Sequence, residues 1–85
     1  MRQFEFIVQS KVGIHARPAL LLSEKAKEFP CRIWAEYKGR QANVKNVIKL
    51  MGLAVPYQET VTFFLEGEQE DEAAEKLKEY CVKNL

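Results

Sequence analysis

At 85 residues the chain has room for one domain, residues 1–85, with one modest core, so no large enclosed cleft is expected. Lys and Arg total 13 against 12 Asp and Glu, with no basic run that could track a nucleic-acid backbone, which argues against DNA or RNA as a partner. The chain does not open on a basic segment followed by an apolar one, and no apolar run reaches membrane length, so a cytoplasmic protein without direct membrane insertion is expected.

Phe4, Phe6 and Val8 recur with the two-residue period of a strand that has one face on a core, although Ile7 interrupts its polar side. After Gly13, a helical face of Ala19, Leu22, Ala26 and Phe29 begins through Pro18, whose fixed φ and missing N–H suit a first turn; Pro30 stops it. Residues 32–37 and 40–44 are predicted to pair as a hairpin around Lys38-Gly39. Asn46 is placed to cap a short helix running to Leu53, whose apolar residues Val47, Ile48, Leu50, Met51 and Leu53 cover more than one face. In so small a domain some of these should stay exposed to solvent or to a partner.

Pro56 ends that helix, and residues 60–66 are β-branched and aromatic enough for a fourth strand. Gly67 turns the chain into a last helix, with Glu70, Asp71 and Glu72 favoured by the dipole in its first turn and Ala73, Leu77, Tyr80 and Cys81 as its buried stripe. The resulting order, βαββαβα, implies an α+β open sandwich, an antiparallel or mixed sheet with its helices on one face. Cys31 and Cys81 lie far apart, with no second ligand beside either. Two reduced, packed thiols are therefore expected rather than a redox motif or a zinc site, and no metal and no cofactor are predicted.

The only histidine, His15, stands at the end of the loop before the first helix, in Gly13-Ile14-His15-Ala16-Arg17-Pro18-Ala19. A helix N-terminus offers unpaired N–H groups and partial positive charge, both of which favour a bound anion such as phosphate. Arg17 adds a planar fork suited to phosphoryl oxygens, and Gly13 allows a tight turn. These parts fit phosphoryl transfer to nitrogen. By local physics alone, however, a histidine at this place is often an ordinary capping or surface residue.

The run GIHARPA closely resembles the active-site motif of the HPr family, the histidine-containing phosphocarriers of the bacterial phosphoenolpyruvate-dependent sugar phosphotransferase system. Val44-Lys45-Asn46-Val47-Ile48-Lys49-Leu50 falls where that family has its second helix, and Glu66-Gly67-Glu68 looks like its last turn. The resemblance implies an open-faced β-sandwich of four antiparallel strands with three helices on one face. It implies a stoichiometric carrier rather than a turnover enzyme, taking a phosphoryl group at His15 Nδ1 from enzyme I and passing it to a IIA component of a sugar permease. By position His15 is the acceptor and Arg17 the phosphate-contacting residue, with the N–H groups of Ala16 and Arg17 as backbone donors. Leu20, Val47, Ile48 and Met51, rimmed by Lys27 and Lys49, become the surface on which enzyme I and IIA domains dock; the alternative for Leu20 and Ile48 is that they pack inside. A monomer is expected.

Many family members carry at position 46 a serine that an ATP-dependent kinase phosphorylates to control catabolite repression. Asn46 has no hydroxyl, so a regulatory serine is absent while the helix cap is kept. Val12, where small polar residues are common, and the Pro56-Tyr57 turn are further departures to which the sequence assigns no effect. Two other roles stay open: a regulatory phosphorelay carrier, and an interaction module that is never phosphorylated.

Overall fold

The computed structural model describes residues 1–85. Its elements are β1 (Arg2–Ile7), α1 (Ala16–Ala26), β2 (Arg32–Tyr37), β3 (Arg40–Asn43), α2 (Val47–Gly52), β4 (Thr60–Glu66) and α3 (Glu70–Asn84). The strands form one antiparallel sheet in the order β1-β4-β2-β3. This is the expected βαββαβα open sandwich, because strict alternation along β2 and β4 puts Ile33, Ala35, Val61, Phe63 and Leu65 on one buried face. All three helices cover that face, so Arg32, Trp34, Thr62 and Phe64 are left on the open one, where Trp34 and Phe64 stack at 5.4 Å.

The hairpin turn has positive φ at both Lys38 (50°) and Gly39 (77°), the twist that matches antiparallel strands. Strand β1 starts two residues before the predicted position, because pairing of Arg2 with Leu65 and Gln3 with Phe64 draws the first residues into the ladder. Val8 falls outside β1 yet is fully buried, and its N–H donates to the Glu59 carbonyl at 3.0 Å. Similarly β3 ends at Asn43, although the Val44 N–H still reaches the Ile33 carbonyl at 3.1 Å.

Helix α1 begins at Ala16 with His15 as its N-cap, so Pro18 is the third helical residue, where a missing N–H costs nothing. Ala19, Leu22 and Ala26 are buried as the spacing predicts; Phe29 is buried too, but in the turn beyond the helix. Asn46 caps α2, its side-chain oxygen accepting from the Lys49 N–H at 3.1 Å. Helix α2 stops at Gly52, one residue short of expectation, with Leu50 and Leu53 buried. In α3 the stripe is Ala73, Ala74, Leu77 and Cys81, with Tyr80 packed half-buried against it.

The Lys45 ammonium donates to the carbonyls of Phe29 (2.6 Å) and Cys31 (2.8 Å), tying the α1–β2 turn to the segment that leads into α2. Both cysteines are free and buried. Burial raises the pKa of each thiol, that of Cys81 to about 12.

Candidate functional site

The loop from Val8 to His15 is held on two sides. The N–H groups of Gln9 and Ser10 donate to the Leu85 carbonyl at 2.7 and 2.8 Å, while the Ile14 N–H donates to the Val55 carbonyl at 3.0 Å. The Gly13 N–H closes the loop's own turn on the Ser10 carbonyl at 2.9 Å. Gly13 is buried at φ 75°, and a Cβ there would stand 2.6 Å from the Val55 oxygen and 3.1 Å from the Pro56 α-carbon. Only glycine fits this crossing without displacing main chain, so the sequence motif fixes where His15 leaves the loop.

His15 itself is exposed, in extended backbone (φ −115°, ψ 179°), and its side chain does not cap the helix. Its carbonyl instead receives the Ala19 N–H at 3.0 Å. The ring turns back so that Nδ1 lies 3.2 Å from the Gly13 carbonyl oxygen. A carbonyl only accepts, so a hydrogen bond in this contact has Nδ1–H as its donor. Beside the ring, the N–H groups of Ala16 and Arg17 are the first two of the helix and have no acceptor one turn back. The Arg17 guanidinium is exposed, and the ion pairs of the chain, Met1–Glu70, Arg2–Asp71, Lys25–Glu28 and Lys83–Glu79, all lie elsewhere. One exposed imidazole, one guanidinium outside the chain's ion pairs and two unpaired N–H groups belong to the first turn of one helix, a set of groups suited to an anion.

Leu20 lies one turn beyond Ala16 on α1 and is 46% exposed, and α1 packs against α2. On α2, Ile48 is 79% exposed and Met51 38%, while Val47 is half-buried against the core. Leu20 and Ile48 therefore do not pack inside. Lys27 and Lys49 are exposed and outside the ion pairs. Leu21 on α1, Val12 and Tyr57 are exposed as well, beyond the apolar side chains expected from the sequence. Val12 and Tyr57 were visible only as departures from a family pattern; Val12 lies in the His15 loop, and the segment that carries Tyr57 is bonded to that loop through Val55 and Gln58.

Residues 2–83 match the family model described as the PTS HPr component phosphorylation site. The HPr-like protein Crh of Bacillus subtilis is 40% identical over 85 residues, the whole of both chains. A crystal structure of Crh, described there as a swapped dimer, has a TM-score of 0.79 at 38% identity, covering 100% of this chain and 98% of that one. The phosphocarrier protein HPr of Mycoplasma genitalium is 33% identical over 85 residues, covering 99% of this chain and 97% of its own. The solved structure of a Mycoplasma histidine-containing phosphocarrier protein has a TM-score of 0.93 at 29% identity, over 96% of this chain and 93% of that one. With its fold, its histidine at the N-cap position of α1 and these matches, the chain belongs to the HPr family of phosphotransferase-system phosphocarriers.

Proposed function

We propose that this chain takes a phosphoryl group on His15 from enzyme I, itself charged by phosphoenolpyruvate, and passes it to a IIA component of the sugar phosphotransferase system. The observation that carries this reading is the placing of the chain's only histidine, exposed at the N-cap of α1 beside an unpaired Arg17. The N–H groups of Ala16 and Arg17 hold phosphoryl oxygens, and the Arg17 fork neutralises their charge. At Nδ1, the nitrogen implied by the family, attack requires the tautomer with its proton on Nε2 and a ring turned away from Gly13. The bond from phosphorus to the donor then breaks as the bond to Nδ1 forms, and the IIA domain reverses the step.

Leu20, Val47, Ile48 and Met51 form the apolar centre of the docking surface, and Lys27 and Lys49 its basic rim. The carrier works as a cytoplasmic monomer, and a sizing measurement at working concentration checks that against the swapped dimer described for Crh. No helix is long and apolar enough to cross a membrane.

Incubation with phosphoenolpyruvate and a general enzyme I gives an acid-labile adduct, read by intact mass, that His15→Ala abolishes. An uncharged wild type, or an adduct that survives the substitution, refutes the relay. A regulatory relay is the second reading, favoured by the 40% identity with Crh, which its solution structure describes as the catabolite repression HPr. Efficient charging with no onward transfer to any of a panel of sugar-specific IIA domains selects it. A protein that binds partners yet is never charged is the interaction module.

A further inference from the structure

Tyr37 and Arg40 are the closing pair of the β2–β3 hairpin, and their side chains bond to the two ends of one segment far along the chain. The Arg40 guanidinium donates to the carbonyls of Gly52 (3.2 Å) and Leu53 (2.8 Å), which end α2. The hydroxyl of the buried Tyr37 donates to the Glu59 carboxylate at 3.0 Å. Between these two grips the backbone is strained at both ends: Ala54, directly after Leu53, has φ 51°, and Gln58, directly before Glu59, has φ 68°. Such backbone persists in non-glycine residues only where its surroundings over-determine it, and here one hairpin pair fixes the residue before the first and the residue after the second.

The gripped segment in turn holds both ends of the His15 loop. At the start of the loop the Gln58 N–H donates to the Val8 carbonyl (2.9 Å) and the Val8 N–H donates to the Glu59 carbonyl (3.0 Å); at its end the Val55 carbonyl takes the Ile14 N–H beside Gly13. From this chain of contacts we infer that Tyr37 and Arg40 are positioning residues for phosphoryl transfer, keeping the His15 loop in register through residues 52–59. The inference rests on the relay reading and deepens it. A lost hydrogen bond of this kind lets the segment open several-fold more often, and a displacement of about 1 Å at a reacting group costs on the order of 100-fold in rate, so a loosened grip slows transfer while every group at the helix end is still present.

The test uses Tyr37→Phe, which keeps the buried ring, Arg40→Met, which keeps the aliphatic stem, and the double variant, with melting temperatures verifying that each is folded. Hydrogen exchange at the Val8 and Ile14 amides is expected to quicken about fivefold in each single variant and about tenfold or more in the double one, ahead of any change at Leu77 in the core of α3. In the double variant kcat for charging by enzyme I with phosphoenolpyruvate is expected to fall about fivefold, with KM for the carrier within about twofold. Glu59→Ala should reproduce Tyr37→Phe, and Glu59→Gln, whose amide oxygen still accepts, should restore the protection. Gln41→Ala, which removes a 3.1 Å bond to Glu36 in the neighbouring pair of the same hairpin, is expected to change neither exchange nor kcat. Unchanged exchange at Val8 and Ile14, equal quickening at Leu77, an unchanged kcat, or the same losses from Gln41→Ala overturn this inference while normal charging of the wild type leaves the relay standing. A wild type that enzyme I cannot charge overturns both.

Discussion

Gly13→Ala should destabilise the protein much more than Gly39→Ala, although the two glycines have nearly the same φ, 75° and 77°. Placing alanine in the left-handed region costs about 1.5 kcal/mol at either site. At Gly39 nothing lies within 4 Å of the new Cβ, so that is the whole cost. At Gly13 the Cβ meets the Val55 oxygen at 2.6 Å and the Pro56 α-carbon at 3.1 Å, both main chain, so the Ile14–Val55 hydrogen bond or the whole loop must shift. Overpacking of this kind adds about 1.5–2 kcal/mol, for a total of about 3 kcal/mol. At about 4–8 °C per kcal/mol in a domain of this size, the melting temperature falls roughly 12–24 °C for Gly13→Ala and roughly 6–12 °C for Gly39→Ala. Circular dichroism melts and urea midpoints measure the difference. The charging rate at a temperature where both variants are folded shows whether the loop has moved: it should fall for Gly13→Ala alone. Equal destabilisation by the two substitutions would show that the crossing with Val55 does not constrain the His15 loop.

Lys45→Met removes two charge-assisted hydrogen bonds, to Phe29 and Cys31, and should cost about 2–3 kcal/mol, lowering the melting temperature by roughly 10–20 °C; a shift of under about 3 °C would mean the tie contributes nothing. Glu70 is held below its ordinary pKa first by the Gly67 N–H at 2.9 Å and then by the Met1 ammonium. Its stabilisation is therefore complete above the ordinary carboxyl range, about pH 4.3, and is lost as pH falls through the lower folded value; Glu70→Gln should flatten the acid limb of the stability curve, and an unchanged slope refutes this. Burial keeps Cys31 and Cys81 as thiols, so iodoacetamide at about pH 8 should label neither until urea is added, and rapid native labelling of Cys81 would contradict its burial.

Much of this arrangement is legible in local sequence signals. The bounds of β2 and β4 follow from alternation, the hairpin from Lys38-Gly39, and the cap of α2 from Asn46. The His15 loop is marked by Gly13 and Pro18. What local signals leave out is whatever depends on a distant partner. Strand β1 includes Arg2 and Gln3 because β4 extends to Leu65 and Phe64 beside them. Lys45 reads as one more surface cation until the Phe29 and Cys31 carbonyls, sixteen and fourteen residues away, are found under its ammonium. Leu20 and Ile48 could be core or surface by their spacing on a helix, and only the packing of α1 on α2 over the sheet decides that both face outward.

The same geometry explains why such a site serves a carrier. The chain's two concavities, a groove of about 440 Å³ between β1 and α3 and another of about 330 Å³ on the open sheet face, are lined by residues such as Phe4, Val82, Trp34 and Asn43, and His15 borders neither. Its exposed ring sits at the N-cap of α1, with an exposed Arg17 outside the chain's ion pairs two residues on. A pocket complementary to the bound phosphoryl would lower the energy of the charged state and so raise the barrier to giving it up. An exposed half-site avoids this: exclusion of water and the remaining charge stabilisation come from whichever protein docks, and leave with it. The Gly13–Val55 crossing, closed by the Ile14–Val55 hydrogen bond, holds the loop that carries this ring, so the half-site keeps its place on the surface whichever protein docks.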